Sequence, residues 1–456
     1  MSASASVVGL GKLGAPLAAC LAARGLRVIG VDADARKVEA LNQGRAPVFE
    51  PELAERIASA AGRLTATQNI EEAVAASEIT FIVVATPSEP SGNFSIRYVL
   101  EACQAVGRAL RAKQEYHLVV ITSTVMPGTT GGPVRSALEE ASGKQMVRDF
   151  GLCYGPEFIA LGSVIRDFLN PDFLLIGESD PRAGTVLESL YHQVCENTPA
   201  VARMNFVNAE VTKLAVNTYI TAKISFANMM ARICEKLPHA DVDVVTSALG
   251  LDSRIGRKYL KGAISYGGPC FPRDNIALAT LAQQLAAPAA LAQSTHQFNR
   301  MQINWLAGQV QQALPAGGVA GILGLTYKPF TDVVEEAAGV LLAQELVRRG
   351  VRVVVYDPQG LGNSAAPLGK QVQFAESARE CINLADVVTL TTPWPEFEAI
   401  PAEQWARQGA PRTVIDCWRA LRHLGTLGGI RYVGLGIGEV VEKTAVAAQG
   451  EVKGQV

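Results

Sequence analysis

The chain has 456 residues, 48% of them hydrophobic, and its 41 lysines and arginines nearly balance 43 aspartates and glutamates. The length predicts about two to four domains, and the composition excludes a wholly disordered chain. A formal net charge of −2 gives no whole-chain reason to expect nucleic acid as a partner. No apolar run approaches the roughly 18 residues that span a bilayer, so no membrane partner is expected.

The first predicted domain, residues 1–195, alternates strands and helices. It opens with an apolar run at 6–11, a helical pattern at 15–24 and a second apolar run at 26–32 that ends in an acid. Further strands are predicted at 79–85, 118–123, 152–154 and 173–177, with helices at 71–76, 96–112 and 130–141. This alternation is typical of a doubly wound α/β domain with a mainly parallel sheet.

The middle of the chain, predicted as an all-helical domain at 196–315, lacks this alternation. A helical pattern without glycine or proline runs over 208–237, which is longer than an average helix. Further helices are predicted at 242–249, 276–285 and 289–313. The long helix carries four large apolar residues that suit either a homodimer interface or packing within one chain: Phe226, Met229, Met230 and Ile233.

The alternation of strands and helices resumes in the last third of the chain. Strands are predicted at 319–325, 351–357, 386–392 and 413–417, with helices at 337–349 and 375–384. We therefore predict a second, smaller α/β domain at 316–440. The polar residues 441–456 are predicted to form a flexible tail.

The first strand–turn–helix unit carries the glycine spacing of a dinucleotide site. Gly9 permits a tight turn, Gly11 lets a pyrophosphate approach the backbone, and Gly14 lets the helix lie close to the strand. Asp32 ends the next strand and is placed to accept hydrogen bonds from ribose hydroxyls, which favours NAD over NADP. The sequence thus predicts a Rossmann-type NAD domain.

Two further strand ends point to the same crevice. Thr86 and Pro87 follow one predicted strand, and Thr124 follows another. Ligands bind beyond the carboxyl ends of strands in open α/β sheets, so these residues are candidate cofactor or substrate contacts. Isolated threonines more often cap a turn. The other predicted cofactor contacts in this part of the chain are Lys12, Leu13 and Lys37.

The eight cysteines form no CxxC pair, so we expect no metal site and no disulfide framework. The N-terminal sequence MSASASVVGLG has no basic segment before an apolar stretch. We therefore expect no secretory signal and predict a cytoplasmic protein. Cys270 lies within SYGGPCFPRD, where two glycines and two prolines fix the backbone. This thiol is a candidate nucleophile, and a buried structural cysteine is the alternative.

The long helix places Glu210, Lys213 and Asn217 on one face. A desolvated Lys213 can stabilise an oxyanion or move a proton. The alternative for these three residues is a solvated polar stripe.

Segments spread over almost the whole chain resemble the UDP-glucose/GDP-mannose 6-dehydrogenase family. They include VVGLGKLGAPLA, TSTVMPGTT, YGPEFIALGS, EVTKLAVNTYITAKISFAN, SRIGRKYLKGAISYGGPCFPRD and LGLTYKPFTD. The resemblance implies an NAD-binding domain, a helical dimerisation core and a nucleotide-sugar-binding domain. It also implies a four-electron oxidation of a sugar C6 alcohol to a carboxylate, with two NAD⁺ reduced.

The resemblance also assigns roles to individual residues. It implies that Cys270 attacks an aldehyde to form a thiohemiacetal, which becomes a thioester that water hydrolyses. Lys213 stabilises the oxyanion, and the other implied catalytic residues are Asn217, Asp274, Glu157 and Thr124. The implied substrate contacts are Glu157, Phe158, Lys213, Asn217, Arg254, Tyr259, Leu260, Lys261, Tyr266, Gly267, Gly268 and Lys328. Arg254 would reach its substrate across a dimer interface. The resemblance also implies that Lys328 contacts the cofactor, because it lies at the junction of cofactor and substrate.

Two of the departures from the family pattern bear directly on activity. Leu161 stands where a second glutamate is usual, and Glu335 stands where an arginine is usual. These departures keep open a non-catalytic homologue that binds NAD and a nucleotide sugar. A β-hydroxyacid dehydrogenase is a further alternative, opposed by Cys270 and the extra C-terminal domain. The GGPCFPRD loop resembles that of the UDP-glucose members, in which phenylalanine follows the cysteine. This resemblance implies conversion of UDP-glucose to UDP-glucuronate, with UDP-GlcNAc, UDP-ManNAc and GDP-mannose as alternative substrates.

Overall fold

The computed structural model describes residues 4–60, 62–407 and 409–439. The tail predicted at 441–456 lies outside the described residues. The N-terminal part is built on an eight-stranded sheet with the order β3-β2-β1-β4-β5-β6-β7-β8. Its strands are β1 (Ser4–Val8), β2 (Arg27–Val31), β3 (Leu64–Thr67), β4 (Ile79–Ile82), β5 (Leu118–Ile121), β6 (Gly151–Tyr154), β7 (Phe173–Glu178) and β8 (Ala200–Met204).

Helices cover both faces of this sheet. They are α1 (Gly14–Ala23), α2 (Ala35–Asn42), α3 (Leu53–Ser59), α4 (Ile70–Ala75), α5 (Arg97–Ala112), α6 (Arg135–Ser142), α7 (Val164–Leu169) and α8 (Pro181–Val194). The central strands β4, β5 and β6 are buried along their whole length. This burial explains their near-continuous apolar sequences, and the strand order confirms the Rossmann-type fold.

The structure differs from the sequence prediction in three details of this part. The helix predicted at 130–141 begins with a π-helical turn at Thr130–Val134, where Gly132 departs from helical geometry and Pro133 lacks a backbone donor. Strand β7 pairs antiparallel with β6, whereas the other neighbours are parallel. Strand β8 belongs to this sheet and lies beyond the boundary predicted at 195.

The central part consists of four helices: α9 (Phe206–Cys234), α10 (Val242–Leu249), α11 (Phe271–Gln284) and α12 (Ala290–Ala313). The Asn205 side chain caps α9 by accepting a hydrogen bond from the backbone N–H of Asn208 at 2.9 Å. Residues 205–318 are all described and contribute no strand to either sheet. The predicted helical centre is therefore confirmed from α9 onward, whereas β8 falls within the first residues of the range predicted to be all-helical, 196–315.

The C-terminal part repeats the doubly wound plan on six parallel strands, in the order β11-β10-β9-β12-β13-β14. These are β9 (Val319–Leu323), β10 (Arg352–Tyr356), β11 (Gln373–Phe374), β12 (Val387–Leu390), β13 (Arg412–Asp416) and β14 (Ile430–Gly434). Its helices are α13 (Ala338–Arg348), α14 (Leu361–Leu368), α15 (Ala378–Leu384) and α16 (Pro395–Glu398). Among the described helices, none is both long and apolar enough to cross a membrane.

Candidate active site

The glycine turn between β1 and α1 has the geometry that a dinucleotide requires. Gly9 has a φ of +103°, and a Cβ on Gly14 would lie 1.8 Å from the Gly9 carbonyl oxygen. A Cβ on Gly11 would meet nothing within 4 Å. Gly9 and Gly14 are thus needed for the turn itself, and Gly11 leaves open space where a pyrophosphate can approach the backbone.

Asp32 lies directly beside this turn. Its Oδ2 accepts hydrogen bonds from the Leu10 backbone N–H at 2.8 Å and from Lys37 Nζ at 3.1 Å, and its Oδ1 accepts one from the Asp34 N–H at 2.9 Å. The carboxylate is held at the end of β2, where an adenosine ribose binds in this fold. Asp32, Lys37, Lys12 and Leu13 are therefore gathered around the turn, and these residues fit NAD.

The ends of β4 and β5 are joined by the predicted threonines. The Thr86 hydroxyl donates a hydrogen bond to the Thr124 carbonyl oxygen at 2.8 Å, and Pro87 is exposed at the same edge of the sheet. Arg273 donates a hydrogen bond from Nη1 to the Thr86 carbonyl oxygen at 3.1 Å. This contact brings the loop that carries the candidate nucleophile to the strand ends of the cofactor domain.

Lys213 is buried on α9, so the solvated alternative for this face is wrong. Its Nζ donates a hydrogen bond to the Glu157 carbonyl oxygen at 2.5 Å and lies 4.5 Å from the centre of the Phe158 ring. Burial lowers the pKa of the Lys213 ammonium, and the negative charge of Asp274 partly offsets this effect. Such a lysine exchanges its proton more readily than an exposed one.

Asn217 and Asp274 form a buried pair next to Lys213. Asn217 Nδ2 donates a hydrogen bond to Asp274 Oδ2 at 2.6 Å, and Asp274 is only 1% exposed. Arg273 Nε lies 3.4 Å from the other carboxylate oxygen. The asparagine and the arginine therefore fix the orientation of this carboxylate beneath the loop of Cys270.

Cys270 caps the N-terminus of α11 and is the exposed cysteine among eight free thiols, the others being buried. It borders two cavities, so the buried structural alternative is wrong. The surrounding protein still desolvates its sulfur, which raises the pKa of the thiol. Asp274 raises this pKa further, whereas Lys213 and Arg273 lower it.

Glu157 is half-buried and lines the smaller of the two cavities that Cys270 borders. Its Oε1 accepts a hydrogen bond from the Tyr191 hydroxyl at 3.2 Å. Desolvation raises the pKa of the Glu157 carboxyl to about 7, although Tyr191 and Lys213 favour the charged form. A carboxyl with this pKa can act as a general base near neutral pH.

The predicted substrate residues line two cavities that meet at Cys270. The smaller cavity, of about 180 Å³, is bounded by Glu157, Phe158, Lys213 and Asn217. The larger one, of about 310 Å³, is bounded by Lys261, Tyr266, Gly267, Gly268, Lys328 and the departure Leu161. Tyr259 lines both cavities. The structure thus brings most of the predicted substrate contacts into one crevice between the two sheets.

Two predicted contacts lie elsewhere in the single chain. Arg254 is exposed and pairs with Asp252, with its Nη2 2.6 Å from the carboxylate, and it lines neither cavity. Leu260 is buried and borders a separate open depression beside α10. Conversely, the sequence reading missed Arg273 and Tyr191. Arg273 directly precedes Asp274 in SYGGPCFPRD, so its neighbour was a signal for it. The sequence around Tyr191 gives no indication of a contact with Glu157.

Residues 3–195, 207–301 and 321–423 match the sequence profiles of the NAD-binding, central and UDP-binding domains of the UDP-glucose/GDP-mannose dehydrogenase family. The chain is also 35% identical over 415 residues to UDP-glucose 6-dehydrogenase AglM of Haloferax volcanii, which covers 90% of this chain and 95% of that protein. The chain belongs to this family.

Relatives named for a different substrate have a similar identity to this chain over a shorter length. The chain is 36% identical over 361 residues to GDP-mannose 6-dehydrogenase of Azotobacter vinelandii, covering 77% of this chain and 80% of that protein. Among solved structures, a UDP-glucose dehydrogenase of Pyrobaculum islandicum superposes with a TM-score of 0.87 at 36% identity, covering 96% and 98% of the two chains. Family membership confirms the prediction that this chain is an NAD-dependent nucleotide-sugar 6-dehydrogenase.

Proposed function

We propose that this enzyme oxidises the C6 hydroxyl of UDP-glucose to a carboxylate, giving UDP-glucuronate. The observation that carries the proposal is the position of the Cys270 thiol, which borders both cavities and lies beside Lys213 and the Asn217–Asp274 pair. The match of residues 321–423 to the UDP-binding domain of the UDP-glucose/GDP-mannose dehydrogenase family supports a nucleotide sugar as the substrate. Relatives named for UDP-glucose support glucose as the sugar.

The bound NAD⁺ supplies the hydride acceptor for each of the two oxidations. In the first oxidation, the buried Lys213 stabilises the negative charge that develops on the C6 oxygen. The Cys270 sulfur then forms a bond to the aldehyde carbon, and the thiol proton passes to the aldehyde oxygen. The second oxidation converts this thiohemiacetal to a thioester.

Hydrolysis completes the reaction. Water adds to the thioester carbon while Glu157 accepts its proton, and the carbon–sulfur bond breaks as the Cys270 thiolate leaves. Because Leu161 offers no carboxylate, Glu157 and Asp274 must assist this step alone. In total, one alcohol, one water and two NAD⁺ give one carboxylate, two NADH and three protons.

We also propose that the enzyme is a homodimer formed through α9. Lys213 and Asn217 point inward on this helix, while the other face exposes large apolar side chains: Tyr219, Phe226, Met229 and Ile233. Of the four residues in the sequence prediction, Met230 instead packs within the chain. The exposed position of Arg254 agrees with a residue that serves the partner subunit's substrate.

The experiment that tests the proposed reaction counts NADH per sugar consumed, with UDP-glucose, UDP-GlcNAc, UDP-ManNAc and GDP-mannose offered separately. Two NADH and one UDP-glucuronate per UDP-glucose are expected. Preference for another sugar would overturn the substrate, and one NADH per sugar would mean that the reaction stops before hydrolysis. Cys270→Ala should abolish acid formation, whereas Cys381→Ala, which removes a buried thiol of the C-terminal domain, should not. Full activity of Cys270→Ala would overturn the thioester mechanism.

A further inference from the structure

Glu50 is a buried carboxylate that holds the backbone of a distant loop. It lies between α2 and α3 and is only 7% exposed. Its Oε2 accepts a hydrogen bond from the Gly162 N–H at 2.9 Å, and its Oε1 accepts one from the Val164 N–H at 2.8 Å. Both carboxylate oxygens are therefore used to fix the chain where it enters α7.

The loop that Glu50 holds, residues 156–163, forms a wall of the crevice. It provides the Glu157 carboxyl and also the Glu157 carbonyl oxygen that accepts the hydrogen bond from Lys213. Residues 159–161 of the same loop line the larger cavity. A shift of this loop would therefore move the partner of Lys213 and reshape both cavities.

The loop has little freedom at its distal end. Gly162 has a φ of +86°, and a Cβ there would lie 2.3 Å from the Phe330 carbonyl oxygen of the C-terminal part. Asp167 adds a second support, because its Oδ2 accepts hydrogen bonds from the Ala160 N–H at 3.2 Å and the Ser163 hydroxyl at 2.8 Å. The loop is thus clamped between Glu50, Asp167 and the segment that carries Phe330.

We propose that Glu50 is a positioning residue for the dehydrogenase reaction, and that it acts by fixing the loop that sets Glu157 against Lys213. Glu50 lines neither cavity, so it acts through the Gly162 and Val164 amides and not through contact with substrate. Burial raises the pKa of the Glu50 carboxyl, and the Gly162 and Val164 amides together with the charges of Lys328 and Lys12 partly offset this effect. Its part in thioester hydrolysis rests on the proposed function.

The chemistry of the clamp requires a carboxylate specifically. A glutamine at this position keeps one oxygen acceptor, but its amide group would face a second N–H donor and could not accept from it. An alanine would leave both backbone donors buried without partners, which costs free energy at each. Glu50→Gln is therefore the informative variant, because it removes half of the clamp with almost no change in shape.

The test compares Glu50→Gln with Asp386→Asn in the full-length protein. Asp386 is a matched control because its carboxylate also accepts a backbone hydrogen bond, from the Val319 N–H at 2.9 Å, but in the C-terminal sheet far from the loop. For each variant we would measure the melting temperature, the Kd for NAD⁺, kcat and KM with UDP-glucose, and the intact mass during turnover.

We expect Glu50→Gln to lower kcat at least tenfold while the Kd for NAD⁺ changes less than twofold. A sugar adduct on Cys270 should accumulate, because Glu157 is no longer held for hydrolysis. Asp386→Asn should keep wild-type kcat even where its melting temperature falls. Wild-type kcat in Glu50→Gln, or an equal loss in both variants, would overturn the proposal.

Hydrogen exchange separates this proposal from the proposed substrate and mechanism. Failure of the wild type to oxidise UDP-glucose would count against the substrate and leave Glu50 to be judged by amide exchange over residues 157–164. Glu50→Gln should accelerate exchange there at least tenfold, with no change over 124–130, a neighbouring loop that Glu210 holds through the Gly128 and Thr130 amides. Unchanged exchange over 157–164 would overturn the role of Glu50 whatever the substrate.

Discussion

Lys12, in the glycine turn of the first sheet, forms a salt bridge with Asp332, in the loop that follows β9 of the second sheet. The ammonium belongs to the turn that holds the pyrophosphate of NAD, so Asp332 and the phosphates compete for one positive charge. Asp332→Asn should therefore tighten NAD⁺ binding. Both side chains are partly exposed, so the gain should be at most about 1 kcal/mol, or roughly fivefold in Kd.

A fluorescence titration with NAD⁺ would measure this gain at low and high salt. The increase should shrink at high salt because exposed charges are screened. Asp34→Asn is the matched control, since Asp34 pairs with the exposed Arg36 beside the same domain's ribose site. Equal or weaker NAD⁺ binding by Asp332→Asn would show that Asp332 does not compete with the cofactor.

The Lys12–Asp332 pair also marks the limit of what the sequence predicts. The glycine turn and Asp32 were predictable because the elements that place them are local and have fixed spacing. Lys12 and Asp332 are 320 positions apart, so only the packing of the two sheets against each other brings them together. The function of Glu50 was hidden for the same reason, because its partners Gly162 and Val164 belong to another loop.

The predicted catalytic residues show the same division. The helical spacing placed Lys213 and Asn217 on one face, and the structure buries that face. Which groups they contact, namely the Glu157 carbonyl and Asp274, depends on how α9 packs against the loop 156–163 and α11. Arg254 differs from these residues, because its proposed contact is with the substrate of a partner subunit and not with any group of its own chain.

The proposed dimer predicts the effect of a charge on the exposed face of α9. Phe226→Asp would place a carboxylate in an apolar interface, where desolvation makes it costly. We expect this variant to be monomeric, as measured by light scattering after size exclusion. Its kcat should also fall, because Arg254 would no longer reach the substrate bound by the partner subunit. Leu291→Asp, which places the same charge at an exposed leucine of α12, should change neither property. A dimeric Phe226→Asp protein would contradict the proposed interface.

Lys213→Met tests the role of the buried ammonium. The methionine keeps a long apolar stem beside Phe158 but removes the charge that stabilises the developing oxyanion. We expect kcat to fall by about 10²-fold or more, with a much smaller change in KM for the sugar. Lys113→Met is the control, because burial also lowers the pKa of Lys113 and its ammonium also donates to a backbone carbonyl, that of Val74, away from both cavities. A loss confined to KM would make Lys213 a binding residue.

Glu157 predicts how activity depends on pH. Its pKa lies at about 7 in the folded protein, against a reference value of 4.5, because desolvation disfavours the carboxylate. A general base must be ionised, so the rate of acid formation should rise as the pH increases through about 7. Rapid-quench measurement of thioester hydrolysis in the wild type should show this inflection. In Glu157→Gln the hydrolysis should be slow at every pH, with no inflection near pH 7.

The same raised pKa predicts an opposite trend in stability. Between the unfolded pKa of 4.5 and the folded pKa of about 7 the native state binds the additional proton, so the free energy of unfolding should fall as the pH rises through this window. Above it the loss is complete. Urea unfolding of the wild type and of Glu157→Gln across this window would isolate the contribution. If both proteins lost stability equally, the carboxyl of Glu157 would have an ordinary pKa, and its role as the base near neutral pH would lose its physical support.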